Sequence, residues 1–533
     1  MCGPAGPWRG PAGVNPHKRT GAKMKDLVIG IDSSTQSTKA IAWAKTGEWV
    51  AEGRSPLELH NPVLSWFEQK SQDWWDSCRL ALQQLLDQVN ADRIAGISIS
   101  NQRETVAFLD DDGQEVRPAM VWIDERSGKQ VDELSTQIGA DVIHDITGRL
   151  PNLTPALYRL AWLKENEPAA FKKTSVFADV QAYLVHKLSG KLKTGWFSAD
   201  PMGYFDIRKK VWSPMLLNYL GLTPSRFPEP FAPGTIIGSI TAEAARKTGL
   251  LPDTPIFAGG GDGQCAALGT NCITSNQAYI NLGTAVVSGV WLPQCLNSKA
   301  WRTEIAPTGE GYILETCLRS GVFLINWFVD QFLPGDRSEK DFFNKLEQKA
   351  QEIPVGSDGL MTLPYWSGVM NPHWNPNARG CFIGLSGGHR PAHLYRSILE
   401  GICLDQAQAT AALEKETGLR IEKFVAIGGG ASSPLWTQML ADSTGKDVAL
   451  SDTLEASALG AAMIAGYGAG WFPSISAAAE AMCGQTKIVR PDTKDRQIWD
   501  ELLEIYGALF LDNEKTFGKL VKLAVKSANA EAK

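Results

Sequence analysis

The chain has no C-x-x-C pair. Its nine cysteines are scattered and odd in number, and Cys265 and Cys272 are too far apart for a zinc knuckle. Free thiols in a reducing compartment are therefore expected, and the cytoplasm is the expected location. The seven histidines fall at no metal-ligand spacing. A basic footprint is missing too: a net charge of −6 argues against nucleic acid as a partner. Long hydrophobic runs are absent. The most apolar stretch, residues 456–472, is rich in Gly and Ala. It falls short of the roughly 20 strongly apolar residues that a membrane span needs. A close-packed interior helix fits it better, and no membrane partner is expected. Residues 1–23 hold Gly, Pro and the basic residues Arg9, Lys18, Arg19 and Lys23, with no acid and no apolar h-region. They read as a disordered N-terminal extension rather than a secretory signal.

What remains is an ordinary globular composition, 44% hydrophobic and 21% charged. At 533 residues the chain is long for one core, so at least two large domains are expected. Near its middle stands Gly259-Gly260-Gly261-Asp262-Gly263. Glycines leave a carboxylate uncovered and let backbone approach a ligand. They also allow a bend, so Asp262 reads as a turn residue, a metal ligand or a general base.

Two segments share one pattern. Residues 27–43 and residues 277–291 each read as strand, small polar turn, strand. The first turn contains Asp32, Ser34, Thr35, Gln36, Ser37 and Lys39; the second contains Gly283 and Thr284. Hydroxyls and free N–H groups suit phosphate oxygens, and Lys39 adds positive charge. The first turn is no Walker A loop, since G-x-x-x-x-G-K-[ST] is absent. Two such hairpins about half a chain apart suggest duplicated domains facing one polyphosphate.

Further polar groups end apolar runs. The strand-like residues 94–100 lead into Asn101-Gln102-Arg103-Glu104-Thr105. Gln102, Arg103 and Glu104 offer donors and acceptors of the kind a polyhydroxylated ligand needs, and the alternative is a charged loop. Trp122 is either core or a ring for stacking a sugar. Residues 196–212 read as irregular, and residues 227–238, rich in proline, as a surface connection. Residues 424–436 read as strand, triple glycine (Gly428, Gly429, Gly430), helix. Such a turn can seat a flat ligand or a phosphate against backbone N–H groups, but it is not G-x-G-x-x-G, so a dinucleotide fold is not supported.

Over residues 25–515 the chain is similar to the FGGY family of carbohydrate kinases, within the actin-like ATPase superfamily. Residues 32–39 resemble the family's first phosphate motif, Asn281-Leu-Gly-Thr284 the second, and Gly428–Gly430 the adenosine motif. Gly261-Asp262-Gly263 resembles the segment with the catalytic aspartate. The C-terminal signature is matched by Gly380-Cys-Phe-Ile-Gly384-Leu and His393-Leu-Tyr-Arg-Ser397-Ile-Leu-Glu400. The N-terminal one is partial, with Arg159 in place of the usual Lys and Ala156 at a position that differs.

The resemblance implies an α/β fold of two ribonuclease-H-like domains with a central nucleotide cleft. An N-terminal domain over 24–261 would carry the first hairpin and the sugar site. A C-terminal domain over 262–515 would carry the second hairpin and the adenosine site, followed by a tail over 516–533. ATP would be bound by Ser34, Thr35, Gln36, Ser37, Lys39, Gly283, Thr284 and Gly428–Gly430. Mg²⁺ would be reached, mainly through water, by Asp32 and Asp262. Asp262 would take the proton of the attacking hydroxyl, with Gln102, Arg103, Glu104 and Trp122 around the substrate. The layout resembles xylulokinases, while residues 101–105 and Trp122 resemble glycerol kinases. Gly263 departs from both, which usually carry an amide there. A ketopentose is expected, with glycerol or another short polyol as the alternative. A non-catalytic actin-like ATPase or sugar sensor is the reading from another class. The oligomeric state is open, a homodimer included.

Overall fold

The protein is described by a computed structural model covering residues 25–339, 341–484 and 487–531; the extension expected over residues 1–23 lies outside them. Two sheets carry the architecture. The first is built from β1 (Leu27–Ser33), β2 (Ser37–Ala44), β3 (Trp49–Pro56), β4 (Ile94–Asn101), β5 (Ile236–Ser239) and β6 (Pro255–Gly261). The second is built from β7 (Gln277–Leu282), β8 (Val286–Leu292), β9 (Arg302–Ile305), β10 (Tyr312–Leu318), β11 (Lys423–Ile427), β12 (Asp447–Leu450) and β13 (Lys487–Val489).

The strand orders are β5-β6-β4-β1-β2-β3 and β9-β10-β8-β7-β11-β12-β13. Each holds an antiparallel meander (β1-β2-β3, β7-β8-β10) joined through its first strand to two parallel strands (β4-β6, β11-β12). One plan used twice is what the paired hairpins predict. It is the ribonuclease-H-like arrangement of the actin-like ATPases. β1 and β4 are buried along their whole length, as expected of central parallel strands read as unbroken small and apolar runs.

Six helices matter below: α1 (Ser71–Leu86), α2 (Val180–Ser189), α3 (Asp262–Gly269), α4 (Pro391–Thr417), α5 (Ala456–Gly468) and α6 (Arg496–Glu531). α2 starts where its sequence says: Asp179 accepts from the Ala182 N–H, and Gly190 closes it at φ 71°. The apolar stretch at 456–472 is an interior helix as far as Gly468, where α5 ends. A Cβ on Gly460 would lie 2.0 Å from the Cys265 carbonyl oxygen, and one on Gly269 would lie 2.0 Å from that of Ala456. Small residues thus bring α3 and α5 into backbone contact. α5 also lies on β1, where a Cβ on Gly30 would fall 1.9 Å from Ala458 O. Leu459, Ala461 and Ala462 share a core with Val28 and Trp43. No helix among the described residues is long and apolar enough to cross a membrane.

Two expectations need correction. Residues 227–238 are not a bare surface connection: they contain a strand, Glu229–Phe231, and the start of edge strand β5. Ile237 is buried while Ile236 points out, an alternation that the prolines mask in the sequence. Of the three readings open for the glycine run, the turn is the one that falls. β6 continues through Gly261, and α3 begins at Asp262. The glycines serve packing: a Cβ on Gly259 would lie 2.3 Å from Ile99 O, and one on Gly260 would lie 2.3 Å from the Phe197 ring. α6 runs on past residue 515 and buries Phe517 in the second core.

In that second core, on α4, Asp405 accepts hydrogen bonds from Tyr506 (3.0 Å) and Tyr365 (3.1 Å). Burial pushes its carboxyl from 3.8 up to about 6, against the two hydroxyl donors. A raised folded-state pKa means the stabilising form is the protonated one. Its contribution is complete below about pH 4 and is lost as pH rises through about 6. Asp405→Asn removes this dependence. Between pH 4 and 7 its unfolding free energy should gain on the parent by on the order of 3 kcal/mol, read by urea unfolding at several pH values.

Candidate active site

The site forms where strand ends of the first sheet meet the head of α3. Asp262, the first residue of α3, keeps 37% of its side chain open. Its Oδ1 accepts from the Gly263 N–H (2.8 Å) and forms an ion pair with Arg103 Nε (3.1 Å). Burial raises its carboxyl above the ordinary aspartate range, and Arg103 and the Gly263 N–H oppose this. With over a third of the side chain exposed, water weakens the burial effect. The Asp262 carbonyl accepts from Ser457 Oγ on α5 (3.1 Å), so α3 and α5 together fix this residue.

Asp32, at the end of β1, is buried and accepts from Ser100 Oγ of β4 (3.0 Å). Its carboxyl is pushed up to about 7, first by burial and next by the charge of Asp262, and Lys39 only partly offsets this. Two carboxylates therefore share a site short of positive charge. Lys39 does not fill the deficit: its Nζ pairs with Glu455, just before α5, at 2.5 Å, and Arg54 binds the same carboxylate at 3.0 Å. No group of three or more His, Cys, Asp or Glu side chains among the described residues could hold a metal ion directly.

The first hairpin closes on itself through Ser34 Oγ and Ser34 N–H, both donating to Ser37 O (2.9 and 3.0 Å). Gln36 is exposed at its tip. Thr35 belongs to a second knot. Trp122 Nε1 donates to Thr35 Oγ1 (3.0 Å), Gln69 Nε2 donates to Thr35 O (2.7 Å), and Gln102 Nε2 donates to Gln69 Oε1 (2.9 Å). Phosphate and substrate candidates thus meet at Thr35. Trp122 is half-buried, neither core nor free, and Gln102 is buried.

Arg103 and Glu104, expected to face a polyol, point into a buried charge cluster instead. Arg103 Nη1 donates to both oxygens of Glu304 (2.7 Å each) and to Glu315 Oε2 (2.9 Å). Glu104, held at φ 58°, faces Arg302 at 3.5 Å and Arg149 at 3.9 Å. The left-handed turn at Glu104 sends these neighbouring side chains to different partners. Burial opposes the charge of Glu315, but Arg103 and Arg302 outweigh it and hold the carboxyl low. Burial, reinforced by Glu315, pushes Glu304 up against Arg103.

The second hairpin and the triple glycine also come together. Gly283 O and Thr284 O accept from the N–H groups of Val322 (2.8 Å) and Gly321 (2.9 Å), and Thr284 is exposed. Gly428, at φ 83°, lies against Asn281: a Cβ there would be 2.4 Å from Asn281 Oδ1. Gly430 is pressed on the Trp436 ring, whereas a Cβ on Gly429 would meet open space. Gly429 is therefore the glycine that a flat ligand could cover.

The sequence reading missed Glu304, Glu315, Arg302 and Arg149. One signal was available. Glu315 stands inside the apolar run of β10, and β9 is buried throughout though it contains Arg302 and Glu304. Buried charge on a strand is costly unless paired, so such residues announce partners elsewhere.

The N-terminal domain of the FGGY family of carbohydrate kinases matches residues 27–269, and its C-terminal domain matches residues 278–469. A xylulose kinase of Bacillus subtilis is 31% identical over 508 residues, covering 94% of this chain and 99% of that protein. A gluconokinase of the same organism is 26% identical, covering 92% and 98%. The crystal structure of xylulose kinase from Rhodospirillum rubrum superposes with a TM-score of 0.85 at 27% identity, covering 92% of this chain and all of that one. The chain belongs to the FGGY family of carbohydrate kinases, the sugar kinases that move a phosphoryl group from ATP to an alcohol.

Proposed function

We propose that this sugar kinase phosphorylates a ketopentose such as xylulose, with Asp262 as the general base. One observation carries the reading. Asp262 is open at the head of α3, while Glu104, Glu304, Glu315 and Asp200 around it are buried and paired. It alone in that group can meet a hydroxyl from the cleft. It accepts the proton as the oxygen attacks the γ-phosphate, and positioning and charge neutralisation supply the rest of the rate. Ser34, Thr35, Gln36 and Ser37, with Gly283 and Thr284, flank the phosphates. Lys39 acts through the strut to Glu455, and Gly428–Gly430 meet the adenosine. The Asp32–Asp262 pair, short of positive charge, fits a divalent cation reached through water. Mg²⁺ would neutralise phosphate charge there. The use of ATP and the free thiols suit the cytoplasm.

A glycerol or short-polyol kinase is the second reading, favoured by half-buried Trp122 beside Gln102. Against it, Arg103 and Glu104 are engaged with protein carboxylates and arginines. A coupled ADP-release assay over ketopentoses, glycerol, other polyols, hexonates and aldoses decides. D-Xylulose or another ketopentose should give the highest kcat/KM, by about tenfold or more over glycerol, a difference of about 1.4 kcal/mol. Glycerol ahead would install the second reading. ADP release independent of every sugar would point to a non-catalytic ATPase.

A further inference from the structure

We propose that Glu304 and Glu315 are positioning residues for Asp262, acting through Arg103. The inference rests on the reading of Asp262 as the base and deepens it. Both carboxylates have side chains with 0% exposure, so neither can touch a substrate in this arrangement. Both belong to the second sheet, on β9 and β10, whereas Arg103 follows β4 of the first.

Arg103 reaches them through a channel lined by glycine. A Cβ on Gly261 would lie 2.7 Å from Arg103 Cδ, and one on Gly263 would lie 2.8 Å from Glu315 Oε2 and 2.9 Å from Arg103 Nη2. The glycines on either side of Asp262 therefore make room for the arginine and its partner. That is a different use from ligand approach. It also accounts for Gly263, where an amide side chain would occupy the place of the Arg103–Glu315 pair.

The two carboxylates are themselves fixed from every side. Glu304 also receives Arg149 Nη2 at 2.5 Å. Glu315 also receives Arg302 Nη2 and, at 2.8 Å, the Tyr279 hydroxyl of β7. Arg149 and Arg302 face Glu104 in turn, and Asp200 faces Arg149 at 3.8 Å. With Nη1 claimed by Glu304 and Glu315, the guanidinium plane is set and Nε is what it offers to Asp262. Oδ1 then holds both contacts, the ion pair to Nε and the hydrogen bond from the Gly263 N–H, and Oδ2 is the oxygen proposed for the substrate hydroxyl. Without the two glutamates, Arg103 is free to bind Asp262 through both arms of its fork. The carboxylate then loses the orientation that frees Oδ2.

The test uses the full chain with ATP and D-xylulose, or the best acceptor of the screen. Glu304→Gln and Glu315→Gln should lower kcat by about 10-fold to 100-fold, as a misaligned base does, with KM for ATP held within about twofold. Unchanged kcat in folded variants, or kcat and KM for ATP moving together, overturns the proposal. If either variant fails to fold, Tyr279→Phe takes its place, since it removes only the uncharged donor to Glu315. It should lower kcat severalfold with KM for ATP unchanged, and a normal kcat there also overturns the proposal. Asp262→Asn run in parallel separates the two levels. Normal turnover in that variant removes the base and the positioning role together. A loss there alone, with both glutamine variants normal, removes only the positioning role.

Discussion

Asp262→Asn is expected to bind ATP normally and to turn over at least about 100-fold more slowly than the parent, since general-base contributions run from about 10² to 10⁴. Asparagine keeps the shape of the side chain. Its Oδ1 can still accept from the Gly263 N–H and lie beside Arg103 Nε. Arg103 stays paired with Glu304 and Glu315, so no buried charge is stranded. What the variant loses is the lone pair that takes the hydroxyl proton. Steady-state kcat with saturating sugar, beside ATP affinity by titration calorimetry, checks the prediction. A rate within a few-fold of the parent would exclude Asp262 as the base.

Gly460→Val is expected to give the largest loss of stability. The nearest atom to the added Cβ is the Cys265 carbonyl oxygen at 2.0 Å, part of α3's own backbone. No rotamer change relieves a clash with backbone, so the helices must separate. Overpacking costs about 1–3 kcal/mol where side chains can shift, and this site falls at or beyond the top of that range. Activity should fall as well, because Asp262 heads the helix being displaced and a shift near 1 Å can cost about 10²-fold. Thermal unfolding and kcat read the two effects. Gly470→Ala, next to open space but at φ 80°, is the control that strains backbone without moving α3.

The fold was legible because its strongest signals are local and repeated. Residues 27–43 and 277–291 carry one strand–turn–strand pattern, and both sheets grow from it. Asp179 and Gly190 mark the ends of α2 by cap chemistry alone. The glycines around Asp262 were misread in kind. Glycine is equally suited to a bend, to ligand approach and to close packing. Only the tertiary structure shows Phe197, Ile99 and Arg103 in the vacated space. Arg103 and Glu104 show a second limit. A charged side chain at a strand end looks the same in sequence whether it faces a cleft or a carboxylate 201 residues away, as Arg103 does with Glu304. The strand charges of β9 and β10 were the missing half of that pairing.

The packing of α5 on β1 ties the core beside the first sheet to the order of synthesis. Leu27–Ser33 leaves the ribosome long before Ala456–Gly468, which lies far down the chain from it. Until α5 arrives, the face of β1 around Gly30 has no cover, and the core shared by Val28, Trp43, Leu459 and Ala462 stays half-built. A helix from far down the chain finishes the core beside the first sheet, so a nascent or truncated N-terminal half carries an apolar seam that α5 otherwise covers.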